Sequence, residues 1–260
     1  MTGCTNIGQQ CCYIVANILS EDIMMNVGVA DANGQPLIEQ LSMHAWFVAL
    51  APQHQALVAK TVVVQRFASG AFVARRGELS HYWIGVHSGL IKLAIYNQDG
   101  RSCTFSGIPA GGWAGEGSVI KHELRKYDVI AVRDAEIMLI PEPTFTTLLA
   151  ESLPFTGFVI RQLNERMGEF ISSVQNTRLL STDAQVALAI AQLFHPVLYP
   201  RTMAILAFSQ EEIGLLTGLS RQRVNQALKQ LTKLHLVTTS YQSIQVVDLE
   251  GLRRFGLAQL

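Results

Sequence analysis

The chain has 260 residues, 49% of them hydrophobic and 15% charged, and its 20 basic and 20 acidic side chains give a formal net charge of zero. Such a composition supports a packed core and excludes global disorder, and neutrality excludes a protein that coats nucleic acid over its whole surface while leaving room for one local contact face. No apolar run reaches the roughly 20 residues a membrane helix needs, and no basic stretch followed by an apolar one opens the chain, so a cytoplasmic protein with no membrane partner is expected.

Residues 1–38 carry little pattern and read as a poorly specified extension. Three of the four cysteines, Cys4, Cys11 and Cys12, fall there, and Cys103 lies far away. They lack the paired spacings of a structural zinc site, and no metal is expected. From "MHAWFVALAPQHQALVAK" onward, Trp46, Phe47, Leu50, Leu57 and Val58 step at helical spacing, with Pro52 at a break or first turn between two short helices. Residues 61–140 change to short β-rich runs between glycine turns: "TVVVQRF", "AFVARRGE", "HYWIGVHSG", "LIKLAIYNQDGRSCTFSG" and "DVIAVRDAEIMLIP". Asp99-Gly100 between two apolar runs signals a hairpin. Many short strands at this spacing read as a small antiparallel sandwich or barrel.

"TFTTLLAES" then reads as a short helix, and Ser152 with Pro154 starts a longer one. On it Ile160, Leu163, Met167, Phe170 and Val174 step by 3, 4, 3, 4. A seam that narrow suits a partner helix; the alternative is packing on the chain's own barrel. "STDAQVALAIAQLF" follows as a helix capped by Ser181 or Thr182, with Val186, Ile190 and Leu193 on one face.

In "FSQEEIGLLTGLSRQRVNQALKQLTKLHLV" four basic residues and no acidic one follow Gly218. Ser209 and Glu212 form a capping box, Gly218 permits a left-handed turn, and Ser220 caps a second helix. Gly214 is small where the two helices must cross, and Val224 and Leu228 face their shared core. The β-prone "VTTS" and "SIQVVD" supply a wing, and "LEGLRRF" a last helix. This is a helix-turn-helix pattern, whose second helix enters the major groove. Its first turns offer Arg221, Gln222, Arg223, Asn225 and Gln226: arginine can donate twice to guanine, and glutamine or asparagine can pair with adenine. Ser209, Lys229 and Lys233, with helix N-terminal amides, could hold phosphates, and the cap Ser220 is counted with the DNA-binding residues. The alternative is a winged-helix protein-interaction module with no DNA affinity.

The chain resembles the CRP/FNR superfamily of bacterial transcription regulators over about residues 44–256. The resemblance rests on "SQEEIGLLTGLSRQRVNQALKQL" and "IQVVDLEGLRRF" in the tail, and on "WFVAL", "FVARRGE", "VHSGLIKLAIYNQDGR", "PAGGWAGE" and "AVRDAEIMLIP" before it. It implies an α+β chain: an effector-sensing jelly-roll barrel like a cyclic-nucleotide-binding domain over 39–152, a dimerisation helix over 153–178, and a winged helix-turn-helix over 179–260. It also implies a homodimer on a pseudo-palindromic operator, with two recognition helices about 34–36 Å apart, and RNA polymerase as a further candidate partner. By the same resemblance Arg221 stands at a guanine-reading position. Gln222 stands where many members carry glutamate, and Gln226 where many carry a second arginine, so an altered half-site is expected.

For the effector, the resemblance places Gly115 and Glu116 at the family's ribose-binding pair and Arg125 near its phosphate position, but Lys126 follows where a hydroxyl residue belongs. Glu116 could equally be a turn residue on a solvated loop. The positions facing the adenine become approximately Phe170 and Ile171, an apolar pair without donors or acceptors. An effector other than cyclic AMP is therefore expected, with a cyclic-nucleotide-responsive regulator of divergent pocket as the alternative. No cofactor is expected. The resemblance implies that an iron-sulfur cluster would draw on N-terminal cysteines and on a barrel cysteine near Ala135, whereas Cys103 lies on an earlier strand, and the haem candidates His81 and His87 are isolated histidines. No enzyme is expected either: "PAGGWAGEGS" matches no phosphate-binding loop, and Glu116, His122 and Glu123 are joined by no second cluster.

Overall fold

The computed structural model describes residues 37–97, 99, 102–202, 205–206, 209–240 and 243–258; Cys4, Cys11, Cys12 and Gly100 lie outside them. Three short helices come first, α1 (Leu37–Ser42), α2 (Ala45–Val48) and α3 (Pro52–Thr61), with Pro52 in the first turn of α3. Helix α1 takes in Leu37 and Ile38, the last two residues of the stretch read above as an extension. The barrel follows as β1 (Val63–Phe67), β2 (Phe72–Ala74), β3 (Tyr82–Ser88), β4 (Leu90–Tyr96), β5 (Ser102–Pro109), β6 (Trp113–Ala114), α4 (Glu116–Ile120), β7 (Asp128–Ala131) and β8 (Ala135–Pro141). Its two four-stranded antiparallel sheets have the orders β1-β8-β3-β6 and β2-β7-β4-β5. The expected β4–β5 hairpin is present. The short β6 and α4 were not foreseen, because two strand residues and five helical ones show no period.

Between the sheets lie Ile84, Val86, Ile91, Leu93, Ile108, Val129 and Ile137, all essentially inaccessible to solvent. Full burial of each such side chain stabilises by about 1.5–3 kcal/mol. A second core forms where α1–α3 cover the outer face of the β3-containing sheet. Trp83 and Trp113 stack there with centroids 4.0 Å apart, and Trp46 meets both edge-on at 5.2 Å. His44 belongs to this core: its Nδ1 accepts from Trp113 Nε1 at 3.2 Å.

Burial, reinforced by Arg201 and His87 nearby, pushes the His44 imidazole down to about 3. The unfolded chain binds a proton at His44 below pH 6.5 while the folded chain refuses it, so stability falls with pH between 6.5 and about 3. At about 1.4 kcal/mol per pH unit, this one residue should cost about 2 kcal/mol by pH 5. Urea unfolding of His44→Gln, which keeps an acceptor for Trp113 but cannot titrate, should show a correspondingly shallower acid decline than the wild type. Parallel declines would refute the assignment.

Beyond the barrel come α5 (Glu142–Glu151), the long α6 (Leu153–Leu179) and α7 (Thr182–Gln192). Ser152 and Ser181 cap α6 and α7 through their side chains, as their positions suggested. The C-terminal unit comprises β9 (Ile205–Leu206), α8 (Gln210–Thr217), α9 (Arg221–Lys233), β10 (Val237–Ser240), β11 (Ser243–Val246) and α10 (Leu249–Leu257). The wing is a three-stranded sheet of order β10-β11-β9, where the sequence suggested two strands. Val186 and Ile190 of α7 and Leu193 at its C-terminal cap pack with Ile213, Val224, Leu228 and Leu231 in its core.

Candidate functional site

The reading helix is built by its caps. Ser209 Oγ accepts from Glu212 N at 3.2 Å and Ser209 N donates to Glu212 Oε2 at 2.5 Å, so both halves of the capping box are formed. Gly218 ends α8 with φ 70°, and a Cβ on Gly214 would lie 2.9 Å from the Leu219 carbonyl, the close crossing its size allows. Ser220 Oγ accepts from Arg223 N and starts α9. One face of α9 buries Val224, Ala227, Leu228 and Leu231. The opposite face exposes Arg221, Gln222, Arg223, Gln226 and Lys229, with Asn225 half-buried at its margin. No acidic side chain interrupts this face, so its donors can all meet base edges or phosphates. Ser209 and Ser220 spend acceptor capacity on their caps and each keeps a hydroxyl hydrogen to donate.

The long helix has two working faces. Leu153, Ile160, Met167 and Val174, seven residues apart, are all exposed, and Leu163 and Ile171 flank them. Phe170, expected in this stripe, instead turns toward the barrel, half-buried and edge-on to Phe105 of β5 with centroids 6.4 Å apart. Ile171 takes its place, because the step from Met167 to Val174 is divided 4 and 3, not 3 and 4. The other face carries Phe155, Val159, Gln162, Arg166 and Glu169 into the barrel.

Arg166 is the hub of the barrel's polar interior and is only 6% exposed. It donates through Nη2 to the Trp113 carbonyl at 2.7 Å, and through Nη1 to Tyr199 Oη at 3.1 Å and Glu169 Oε2 at 3.3 Å. Its Nε lies 4.0 Å from Glu116 Oε1. Burial opposes its charge, but Tyr199, Glu116 and Glu169 outweigh that and hold it above the ordinary arginine range. Burial raises Glu169 and Tyr199 in turn, and Ser106 Oγ lies 3.1 Å from Tyr199 Oη.

Of the residues expected to meet an effector, Gly115, Glu116 and Arg125 come together. Gly115, with φ 93°, caps α4, and Arg125 Nη1 lies 2.8 Å from where its Cβ would stand. Glu116 is buried, which removes the solvated-loop alternative. Glu116 Oε2 and Arg125 Nη1 are buried atoms with no hydrogen-bond partner. Lys126 does not join them: it is 67% exposed and pairs with Glu123 at the surface. Neither does Ile171, which lies on the outer stripe. Arg166, Glu169 and Tyr199 were missed. The signal for the first two was the 4, 3, 4, 3 spacing that runs on from Phe155 through Val159 and Gln162.

Among the described residues no group of three or more His, Cys, Asp or Glu side chains is placed to hold a metal ion, and no helix is long and apolar enough to cross a membrane. Cys103 is exposed, as is His81, while His87 faces Glu136 at 3.9 Å.

Residues 64–152 match the family model of the cyclic nucleotide-binding domain, and residues 184–255 that of the Crp-like helix-turn-helix domain. The chain is 25% identical over 235 residues to the HTH-type transcriptional regulator Cmr of Mycobacterium tuberculosis (strain CDC 1551 / Oshkosh), covering 86% of this chain and 93% of that protein. It is 23% identical over 187 residues to the cAMP-activated global transcriptional regulator CRP of Pasteurella multocida (strain Pm70), covering 70% and 89%. Among solved structures, FixK2 from Bradyrhizobium japonicum shares the fold with a TM-score of 0.63 at 14% identity, over 75% of this chain and 96% of that one.

Proposed function

The chain belongs to the CRP/FNR superfamily of bacterial transcription regulators, and from that premise we propose that it binds a pseudo-palindromic operator in the cytoplasm as a homodimer, under control of an effector other than cyclic AMP sensed in the barrel. The observation that carries the reading is the polarity of α9: an apolar face sealed in the domain core, and a cationic, amide-rich face open to solvent over its first turns. The exposed stripe on α6 supports the dimer, since a second copy would cover the same residues by symmetry. RNA polymerase is the further partner for a regulator of this kind.

Arg221 is assigned to a guanine, with Gln222 and Gln226 altering the rest of the half-site. Selection of duplexes from a random pool should return an inverted repeat with half-sites one helical turn apart. Arg221→Ala should then weaken the selected site about 10- to 100-fold and relax preference at one base pair, as loss of a bidentate contact does. A mobility-shift assay across salt concentrations checks both: affinity should fall steeply with salt. Unchanged specificity in Arg221→Ala would remove the assignment, and a chain without salt-sensitive duplex binding would be a protein-interaction module instead.

Glu116 Oε2 and Arg125 Nη1 favour a small effector that offers a donor to the carboxylate and an acceptor to the guanidinium. Those same two atoms keep a cyclic-nucleotide-responsive regulator as the second reading. Against it stand the outward Lys126 and the apolar Phe170. Titration calorimetry with cyclic AMP separates the readings: no heat at micromolar concentrations is expected, and tight binding would reverse the preference.

A further inference from the structure

A second group of buried polar side chains lies outside the barrel interior, where the turn between α1 and α2 meets the sheet that carries β3 and β6. His44 stands in that turn and is 3% exposed. Its Nδ1 accepts from Trp113 Nε1 at 3.2 Å, and an indole N–H can only donate. The lone pair is therefore on Nδ1, and the neutral ring carries its hydrogen on Nε2. That atom is buried and has no hydrogen-bond partner. His44 thus offers a donor inside the protein with nothing to receive it.

Arg201, between α7 and β9, reaches the same place. Its stem crosses the loop between β5 and β6: a Cβ on Gly111 would lie 2.8 Å from Arg201 Cβ, 2.9 Å from Cδ and 3.0 Å from Cγ. Gly111 N donates to the Val86 carbonyl of β3 at 2.8 Å, so the stem lies beside the strand residue that precedes His87. Two residues beyond Gly111 stands Trp113, the partner of His44. After burial itself, the Arg201 charge is the largest influence on the His44 imidazole, and His87 the next. Arg201 Nη1, like His44 Nε2, is a buried atom without a partner. Burial lowers the Arg201 pKa and no neighbouring carboxylate opposes it. Glu136, beside His87, is already engaged: its Oε2 faces His87 Nε2 at 3.9 Å and its Oε1 faces Arg66 Nε at 3.5 Å.

Two buried donors, one of them charged, make half of a hydrogen-bonded site. Leaving both unmet costs the desolvation of each. A water could accept from them, but its own hydrogens would then need acceptors, and the Arg201 charge would stay uncompensated. An anion accepts from both and cancels the charge. It must be small, because both donor atoms are sealed from solvent.

We infer that His44 Nε2 and Arg201 Nη1 hold a small inorganic anion beneath the α1–α2 turn, at a site separate from the Glu116–Arg125 pair inside the barrel. Neither residue reads the operator in the function proposed above, so the two readings stand or fall independently.

The test uses the full chain at neutral pH, titrated with chloride, nitrate or inorganic phosphate while gluconate, a bulkier anion, keeps the ionic strength constant. The indole N–H resonance of Trp113, identified by its loss in Trp113→Phe, should shift saturably, and the anion that saturates it at the lowest concentration identifies the ligand as halide or oxyanion. The urea midpoint of the wild type should rise over the same range, as ligand binding to the folded state requires. Arg201→Met keeps the stem and removes the charge. It should weaken the anion about 10- to 100-fold, the loss of a hydrogen bond to a charged group. In gluconate alone its urea midpoint should equal or exceed that of the wild type, because an unpaired buried charge is gone, and saturating anion should reverse the order. Arg201→Lys, which retains the charge, should keep part of the response. A Trp113 resonance indifferent to all three anions, or a midpoint that rises equally in wild type and Arg201→Met, overturns the site and leaves both donors to water.

Discussion

Arg166→Ala should destabilise the protein by about 3–5 kcal/mol, the cost of removing one partner from a buried ion pair and leaving the other charge uncompensated. The geometry places this site toward the upper end. Arg166 serves Glu116, Glu169, Tyr199 and the Trp113 carbonyl together, so its loss leaves two buried carboxylates without their shared cation. It also unties three parts of the chain, since Trp113 belongs to the barrel, Glu169 to α6 and Tyr199 to the segment leading into the winged helix. Urea unfolding checks the magnitude. The pH dependence checks the cause: unpaired buried carboxylates relieve themselves by binding protons, so the deficit should shrink as pH falls from 7 toward 5. Glu116→Gln and Glu169→Gln added to Arg166→Ala should recover part of it. A loss below about 1 kcal/mol, or one independent of pH, would mean that the network is solvated and carries little.

The winged helix was the most legible part of the sequence because each of its devices is local. A capping box needs residues three apart, a turn needs Gly218, and a close crossing needs Gly214. The barrel strands were legible as β-rich runs, but their order in the two sheets was not, since pairing β1 with β8 joins residues more than 60 apart in the chain. The polar interior was hidden for a different reason. Gln162, Arg166 and Glu169 look like the solvated flank of an amphipathic helix, and only the barrel's presence on that side turns them inward. Tyr199 sits in "HPVLYP", which carries no period at all. Its burial follows from the shape of the opening it fills beside Ile108 and Gly112. Lys126 failed as a pocket residue because Glu123, three positions before it, offers a part-exposed surface partner at little desolvation cost.

Met167→Glu should convert the proposed homodimer to monomers and lower affinity for the selected operator at least about 100-fold. Met167 is 61% exposed and stands inside the stripe from Leu153 to Val174, one heptad from its C-terminal end. In a parallel two-fold pairing along α6 each seam position faces its own counterpart, so glutamate at 167 brings two carboxylates together where apolar burial is needed. Covering a large apolar side chain is worth about 1.5–3 kcal/mol, and six such side chains per protomer, Leu153, Ile160, Leu163, Met167, Ile171 and Val174, lie on or beside the stripe. The loss in DNA affinity follows from linkage. When two reading heads are joined, the second half-site is engaged at high effective concentration, and separating them forfeits a factor of about 10²–10⁴ without touching a base contact. Because position 167 is open to solvent in a single chain, the barrel's own packing should be unaffected, so near-ultraviolet circular dichroism of the separated chains should match wild type. Sedimentation equilibrium gives the oligomeric state, and a mobility shift on half-site and full-site duplexes gives the linkage. The full-site advantage should vanish while half-site binding stays as it was. A variant that remained dimeric, or kept its full-site advantage as a monomer, would show that α6 does not join the two copies.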